Sequence, residues 1–143
     1  MKNIFFLLAV GIIVSLSSCK PSQPCAESDY RDTDDMLYAC GQGSGSRENT
    51  AVEIAIIDAK QKMGEKIGLY TAEHYKSETL VNDEAYNNKL RTAEKTVLTE
   101  LGISCQVVKK SKDKYLAYVT LSADLKVIRE IMRGSSSGTK NKD

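Results

Sequence analysis

The chain reads as an α+β fold, with helices packed on a small antiparallel or mixed three-stranded sheet. Three observations predict it. Apolar residues recur every three or four positions through 52–70 and again through 86–101, and they alternate with other residues through 103–121. The first spacing buries one stripe of a helix, and the second buries one face of a strand. Taken in order, the segments run β-α-α-β-β-α, with helices segregated to one face of the sheet.

Met36 to Gly43 is a short apolar stretch between acids and glycines, which suits a strand ending in a Gly-rich turn. From Thr50, Val52, Ile56, Ala59, Met63, Ile67 and Tyr70 form one stripe of a long amphipathic helix, with Thr50-x-x-Glu53 placed as a capping box. The stripe lapses over 71–82. Tyr86, Leu90, Ala93, Val97 and Leu101 then renew it in a second helix, with Gly102 read as a left-handed cap. Ile103, Cys105 and Val107 form one strand of a hairpin and Tyr115, Ala117, Val119 and Leu121 the other, joined by the polar link 109–114. Ser122 is placed to cap a last helix carrying Leu125, Ile128, Ile131 and Met132, which Gly134 ends.

The ends differ in kind from this middle. Lys2 precedes an unbroken apolar run from Ile4 to Val14, too short to span a bilayer but the right length for the core of a secretory signal. Leu16-Ser17-Ser18-Cys19 follows and resembles the lipobox of bacterial lipoproteins. That resemblance implies cleavage between Ser18 and Cys19, a diacylglyceryl group on the Cys19 sulfur, and acylation of the new amine, for example with palmitate. Two or three acyl chains make a lasting anchor without a transmembrane helix. Lys20 rather than Asp at the second mature position favours the outer membrane, by the sorting rule of enteric bacteria. Residues 20–34 hold both prolines and few aliphatics and read as a tether, and 134–143 read as a solvated tail. The chain thus divides into a signal (1–18), a lipidated N-terminus with tether (19–34), a domain (35–133) and a tail (134–143).

Tyr38-Ala-Cys-Gly-Gln-Gly-Ser-Gly45, followed by Ala51-x-x-x-Ala55-x-x-x-Ala59, resembles the LPP20 family of bacterial lipoproteins and related domains of flagellar-assembly proteins. The resemblance runs over about 36–121. It lacks the Trp that family members often carry before the first strand, and Met63-Gly64 replaces a leucine-rich continuation. It implies a compact α/β module, in some members with a dodecin-like sheet wrapped on a helix, and it attaches no catalytic residue.

Composition narrows the chemistry. The 143 residues include 20 Lys and Arg against 19 Asp and Glu, and removing the leader with Lys2 leaves the two balanced, so nothing points to nucleic acid. There is no Trp, both Phe residues lie in the leader, and His74 is the one histidine. Gly41-x-Gly43-x-Gly45 before a helix invites a phosphate-binding reading. The spacing meets neither the Rossmann nor the P-loop pattern, however, and the glycines are read as permitting a sharp strand-to-helix reversal. Ala51, Ala55 and Ala59 give a bulk-free strip suited to close core packing, or else to a protomer interface. His74 has no nucleophile in a recognisable turn beside it, and Asp32, Asp34 and Asp35 lack the glycine turn and closing Glu of a Ca²⁺ loop. Tyr38 and Tyr118 on strands are read as half-buried core residues with their hydroxyls at the rim, or as a carbohydrate- or peptide-facing patch.

Lipidation of Cys19 leaves Cys25, Cys40 and Cys105, an odd number for an oxidising compartment. Cys40 with Cys105, Cys25 with either, and unbridged thiols all stay open, the first requiring that the two strands be neighbours. No Cys-x-x-Cys or His pair marks a metal site, and no cofactor is implied. The expectation is a non-enzymatic, lipid-anchored envelope protein whose domain meets a protein partner or a second copy of itself. The rivals are a small-ligand carrier, which needs a cavity above about 300 Å³, and a hydrolase, which needs a nucleophile–base pair or paired carboxylates.

Overall fold

The computed structural model describes residues 24–26, 29–76 and 83–134. It has an α+β fold in the expected order: β1 (Met36–Gly45), α1 (Glu48–Tyr75), α2 (Asp83–Thr99), β2 (Gly102–Ser111), β3 (Lys114–Asp124) and α3 (Leu125–Arg133). All pairing is antiparallel, in the order β1-β3-β2, so the last strand is central and the other two are edges. Residues 77–82, the rest of the stretch where the apolar stripe lapses, lie outside the described residues, as do the leader, Ser18 and Cys19.

Alternation along the strands sorts the sheet into two faces. The inner face carries Leu37, Ala39, Ala117, Val119, Leu121 and Ala123, all buried, together with the buried Gly41 and Gly43. Helix α1 runs back along it. Its deepest residues are Ala51, Ala55, Ala59, Met63, Ile67 and Thr71, a strict step of four that advances about 40° per step. The buried line therefore winds slowly round the helix and keeps pace with a twisted sheet. Val52, Ile56 and Tyr70 flank this line half-buried, so in the first half of the helix the deepest positions fall to Ala51, Ala55 and Ala59.

The glycines of β1 explain why. A β-carbon built on Gly41 would stand 2.0 Å from the Ala55 carbonyl oxygen and 2.5 Å from the Ala59 nitrogen, and one on Gly43 would stand 2.1 Å from the Ala51 oxygen. These glycines are strand residues that let a helix backbone lie on a strand backbone, and neither has positive φ. The turn expected at Gly41–Gly45 is instead made by Ser46 and Arg47. Because Ala51, Ala55 and Ala59 are fully buried against β1, they form core and not a protomer face.

Three caps differ from expectation. Helix α1 begins two residues before Thr50, at Glu48, and its N-cap Arg47 makes no side-chain cap bond. Gly102 is the first residue of β2, without the left-handed φ of a cap. Strand β3 runs past Ser122 to Asp124, whose carboxylate accepts from the Lys126 N–H at 2.7 Å and caps α3. Gly134 ends α3 at φ 81°, as its position predicts. Tyr86, Ala93 and Val97 of α2 and Leu125, Ile128 and Met132 of α3 complete the core. The buried Tyr86 hydroxyl is satisfied by Thr71 Oγ1 at 3.1 Å.

The edge strands are treated differently. Along the outward edge of β1, Asp58 accepts from the Gln42 N–H at 2.9 Å, Lys62 donates to the Cys40 carbonyl at 3.0 Å, and Asp32 accepts from the Tyr38 N–H at 2.8 Å. Charged side chains thus occupy the backbone groups another strand would use. On β2, the Ser104 carbonyl accepts from the Tyr30 hydroxyl at 3.4 Å.

Candidate functional site

At the end of the sheet where β1 begins and β3 passes into α3, helix α1 continues beyond the strands, because its 28 residues span about 42 Å. Its last turns, the segment 32–34 and α3 enclose a cleft of about 760 Å³. The Thr33 hydroxyl accepts from the Asp35 and Met36 N–H groups at 3.3 and 3.1 Å and folds the segment into a turn. Lys66 donates to both carboxylate oxygens of Asp32, at 3.1 and 2.9 Å, and ties the turn to α1.

Arg129 closes the cleft from α3. Its Nε donates to the Tyr70 hydroxyl at 3.0 Å, Nη2 donates to the Asp34 carbonyl, and Nη1 lies 3.7 Å from Asp35. The hydrogen bond to the Tyr70 hydroxyl, with Asp35 beside it, outweighs desolvation and holds the guanidinium pKa above its ordinary value. Tyr70 also stacks on His74 at 4.2 Å and meets Tyr75 edge-on at 6.4 Å. Burial, reinforced by Tyr70, pushes the Tyr75 hydroxyl above the usual tyrosine range. The His74 Nδ1–H donates to the Tyr70 carbonyl at 2.9 Å.

The lining joins three aromatic rings and Leu37, Leu69 and Leu125 to basic Lys66, Arg129 and Arg133 and acidic Asp32, Asp34 and Glu73. Among the described residues the lining contains no Ser or Cys, and its Thr33 hydroxyl accepts from the backbone. Such a surface can stack a flat group and orient it through polar contacts at the rim. Among the described residues no group of three or more His, Cys, Asp or Glu could hold a metal ion.

His74, Asp32 and Asp34 come together here, and Asp35 meets Arg129 at the margin. Lys66, Tyr70, Tyr75, Arg129 and Arg133 are functional candidates that sequence reasoning missed. Spacing was the available signal: Lys66, Tyr70 and His74 step by four along α1, and Arg129 and Arg133 by four along α3, so each set shares a helix face.

The cysteines gather on the outer face of the sheet. Cys40 and Cys105 are both register partners of Thr120, on opposite sides of the central strand. Two strand spacings, about 9.5 Å, separate them and exceed the reach of a disulfide. Of the pairings left open, Cys40 with Cys105 is thereby ruled out, and Cys25 with one of the two is what the structure has: Cys25–Cys105, with Cα atoms 5.7 Å apart. Cys25 lies over the central strand, its carbonyl accepting from Thr120 Oγ1 at 3.0 Å, and Cys40 is a free thiol 3.2 Å from that hydroxyl. Of the tether expected over 20–34, residues 24–26 and 29–34 are described, and they lie against the domain. Cys25 is buried, Tyr30 lies 5.7 Å from Tyr38, and Asp32 is bonded to β1 and α1, so the domain begins near Cys25. Tyr38 and Tyr118 sit half-buried on this outer face. No protein-family model, curated protein or solved structure matches the chain.

Proposed function

We propose that the protein is a lipid-anchored, non-enzymatic lipoprotein of the cell envelope, an LPP20-like module held at the outer membrane through acylated Cys19. The observation that carries this reading is the Cys25–Cys105 bridge six residues after the lipobox. Disulfides persist in oxidising compartments, which is where a lipobox would deliver the chain. The composition of the cleft favours binding over turnover, since Lys66 is paired with Asp32, Arg129 is held by the Tyr70 hydroxyl and the Asp34 carbonyl, and among the described lining residues no Ser or Cys stands beside the imidazole.

The test is intact-mass spectrometry of the protein taken from membranes. A mature chain starting at Cys19 with added acyl mass is expected, and Cys19→Ser should lose that mass and leave the membrane fraction. A chain without lipid overturns the reading.

A second reading, a small-ligand carrier, is favoured by the cleft itself. Its volume falls within the range of about 300–1,000 Å³ typical of ligand sites. Native mass spectrometry of the gently isolated protein tests it. A bound mass lost on Tyr70→Ala supports a carrier, and a bare chain removes that reading.

A further inference from the structure

The outer face of the sheet and the β2–β3 hairpin are placed to lie against a membrane. We infer that this surface docks on the anionic headgroups of the bilayer in which Cys19 is anchored, an inference that rests on the lipid-anchor reading above. The first ground is length. Were the chain free up to Asp35, sixteen residues would separate the lipid from the domain and let it range about 55 Å from the bilayer. The Cys25–Cys105 bridge shortens that leash to six residues, roughly 20 Å fully extended. The leash ends at the buried Cys25, over the central strand on the outer face, while α1 covers the opposite face. The outer face therefore lies within one domain thickness of the lipid.

The second ground is charge and surface chemistry. From Ser104 to Thr120 the hairpin carries exposed Lys109, Lys112 and Lys114 on the outer face and at the tip against the single acid Asp113, while Lys110 lies over the Tyr115 ring on the α1 side. Val107, Leu116 and Tyr118, half-buried on the outer face, lead from the disulfide toward that basic tip. Tyrosine and short apolar side chains suit the headgroup boundary, and clustered lysines suit an anionic lipid surface.

The test uses the full lipidated protein in phosphatidylethanolamine vesicles with and without phosphatidylglycerol, labelled with a membrane-impermeant amine-acylating reagent. Labelling is quantified at each lysine and normalised to exposed Lys95 on α2. Lys114, in line with Leu116 and Tyr118 on the outer face, should label severalfold more slowly on phosphatidylglycerol vesicles than on neutral ones, while Lys60 on α1 stays unchanged. Lys109→Glu with Lys112→Glu, both at exposed positions, should restore fast labelling of Lys114. Cys25→Ser should restore it by lengthening the leash. A protein that carries acyl mass but labels alike on both vesicles overturns the docking inference alone, as does protection that survives the double charge reversal. A protein without acyl mass overturns the anchor reading and this inference with it.

Discussion

Gly41 and Ala55 meet backbone to backbone. A single added methyl on Gly41 would fall 2.0 Å from the Ala55 carbonyl, closer than any real contact, with no flexible side chain in between to give way. Gly41→Ala must push α1 off β1, and overpacking of this kind costs at least about 3 kcal/mol, a large share of a small domain's stability. Gly64, in the same helix, has nothing within 4 Å of its missing β-carbon. Gly64→Ala should therefore gain about 0.5–1 kcal/mol from helix propensity alone. Thermal melts of the two variants should move in opposite directions, and similar shifts would overturn the packing assigned to β1.

Asp58 guards the edge of β1 and gives that edge a pH dependence. The Gln42 N–H it accepts, then Lys62, hold its carboxyl below the ordinary aspartate range. A depressed folded pKa contributes stability above the unfolded value, near pH 4, that is lost as pH falls through the folded one. The side chain is over a third exposed, so screening keeps the contribution below about 1 kcal/mol. Asp58→Asn should flatten the acid limb of the stability curve below pH 4 and leave the alkaline limb unchanged. Asp58→Ala with Lys62→Ala should uncover the Gln42 N–H and Cys40 carbonyl and raise self-association, measured by sedimentation.

Arg129 joins three segments far apart in the chain, so its loss should be felt at a distance. Arg129→Met removes the donors to Tyr70 and to the Asp34 carbonyl, so the turn at 32–35 loses its side-chain tie to α3 while its Thr33 bonds, the Asp32 contacts with Lys66 and Tyr38 and the Leu125 N–H to Asp35 carbonyl bond remain. Hydrogen exchange should quicken at residues 32–35 and stay unchanged at Val119 and Leu121 in the central strand. Unchanged exchange at 32–35 would show that the cleft wall does not depend on this arginine.

These relationships separate what periodicity can reveal from what it cannot. The 3.6 and 2 periods place all six elements, because each must bury one face and the apolar residues record which. Strand order is not written that way. Ile103 to Val107 and Tyr115 to Leu121 alternate equally well whichever strand is central, and centrality of β3 is what sets Cys40 and Cys105 too far apart to bond. Gly41 and Gly43 read as a turn because glycine is common there, although they continue the alternation of Leu37 and Ala39 on the buried face. The cleft draws on 32–34, 66–75 and 125–133, which only the folded chain brings together, so spacing hinted at two helix faces without pairing them.

The bridge carries the last prediction. Peptide mapping without reductant should find Cys25 joined to Cys105, and a maleimide should add once, at Cys40. A Cys25–Cys40 linkage would overturn the arrangement, and it is the specific alternative to exclude, because Cys40 and Cys105 flank the same threonine. The bond closes a loop with sequence separation 80, so removing it by Cys105→Ser should cost about 2–5 kcal/mol, mainly by freeing the unfolded chain. Two controls separate that effect from the loss of a buried contact. Cys40→Ser keeps the bridge and replaces the thiol facing Thr120 with a hydroxyl, so its melting temperature should change little. Reductant should lower the melting temperature of the wild-type protein to that of Cys105→Ser and leave Cys105→Ser itself unmoved. A wild-type melt insensitive to reductant would mean that Cys25 is held by its carbonyl bond to Thr120 and the packing around it, and that the covalent link adds nothing to the fold.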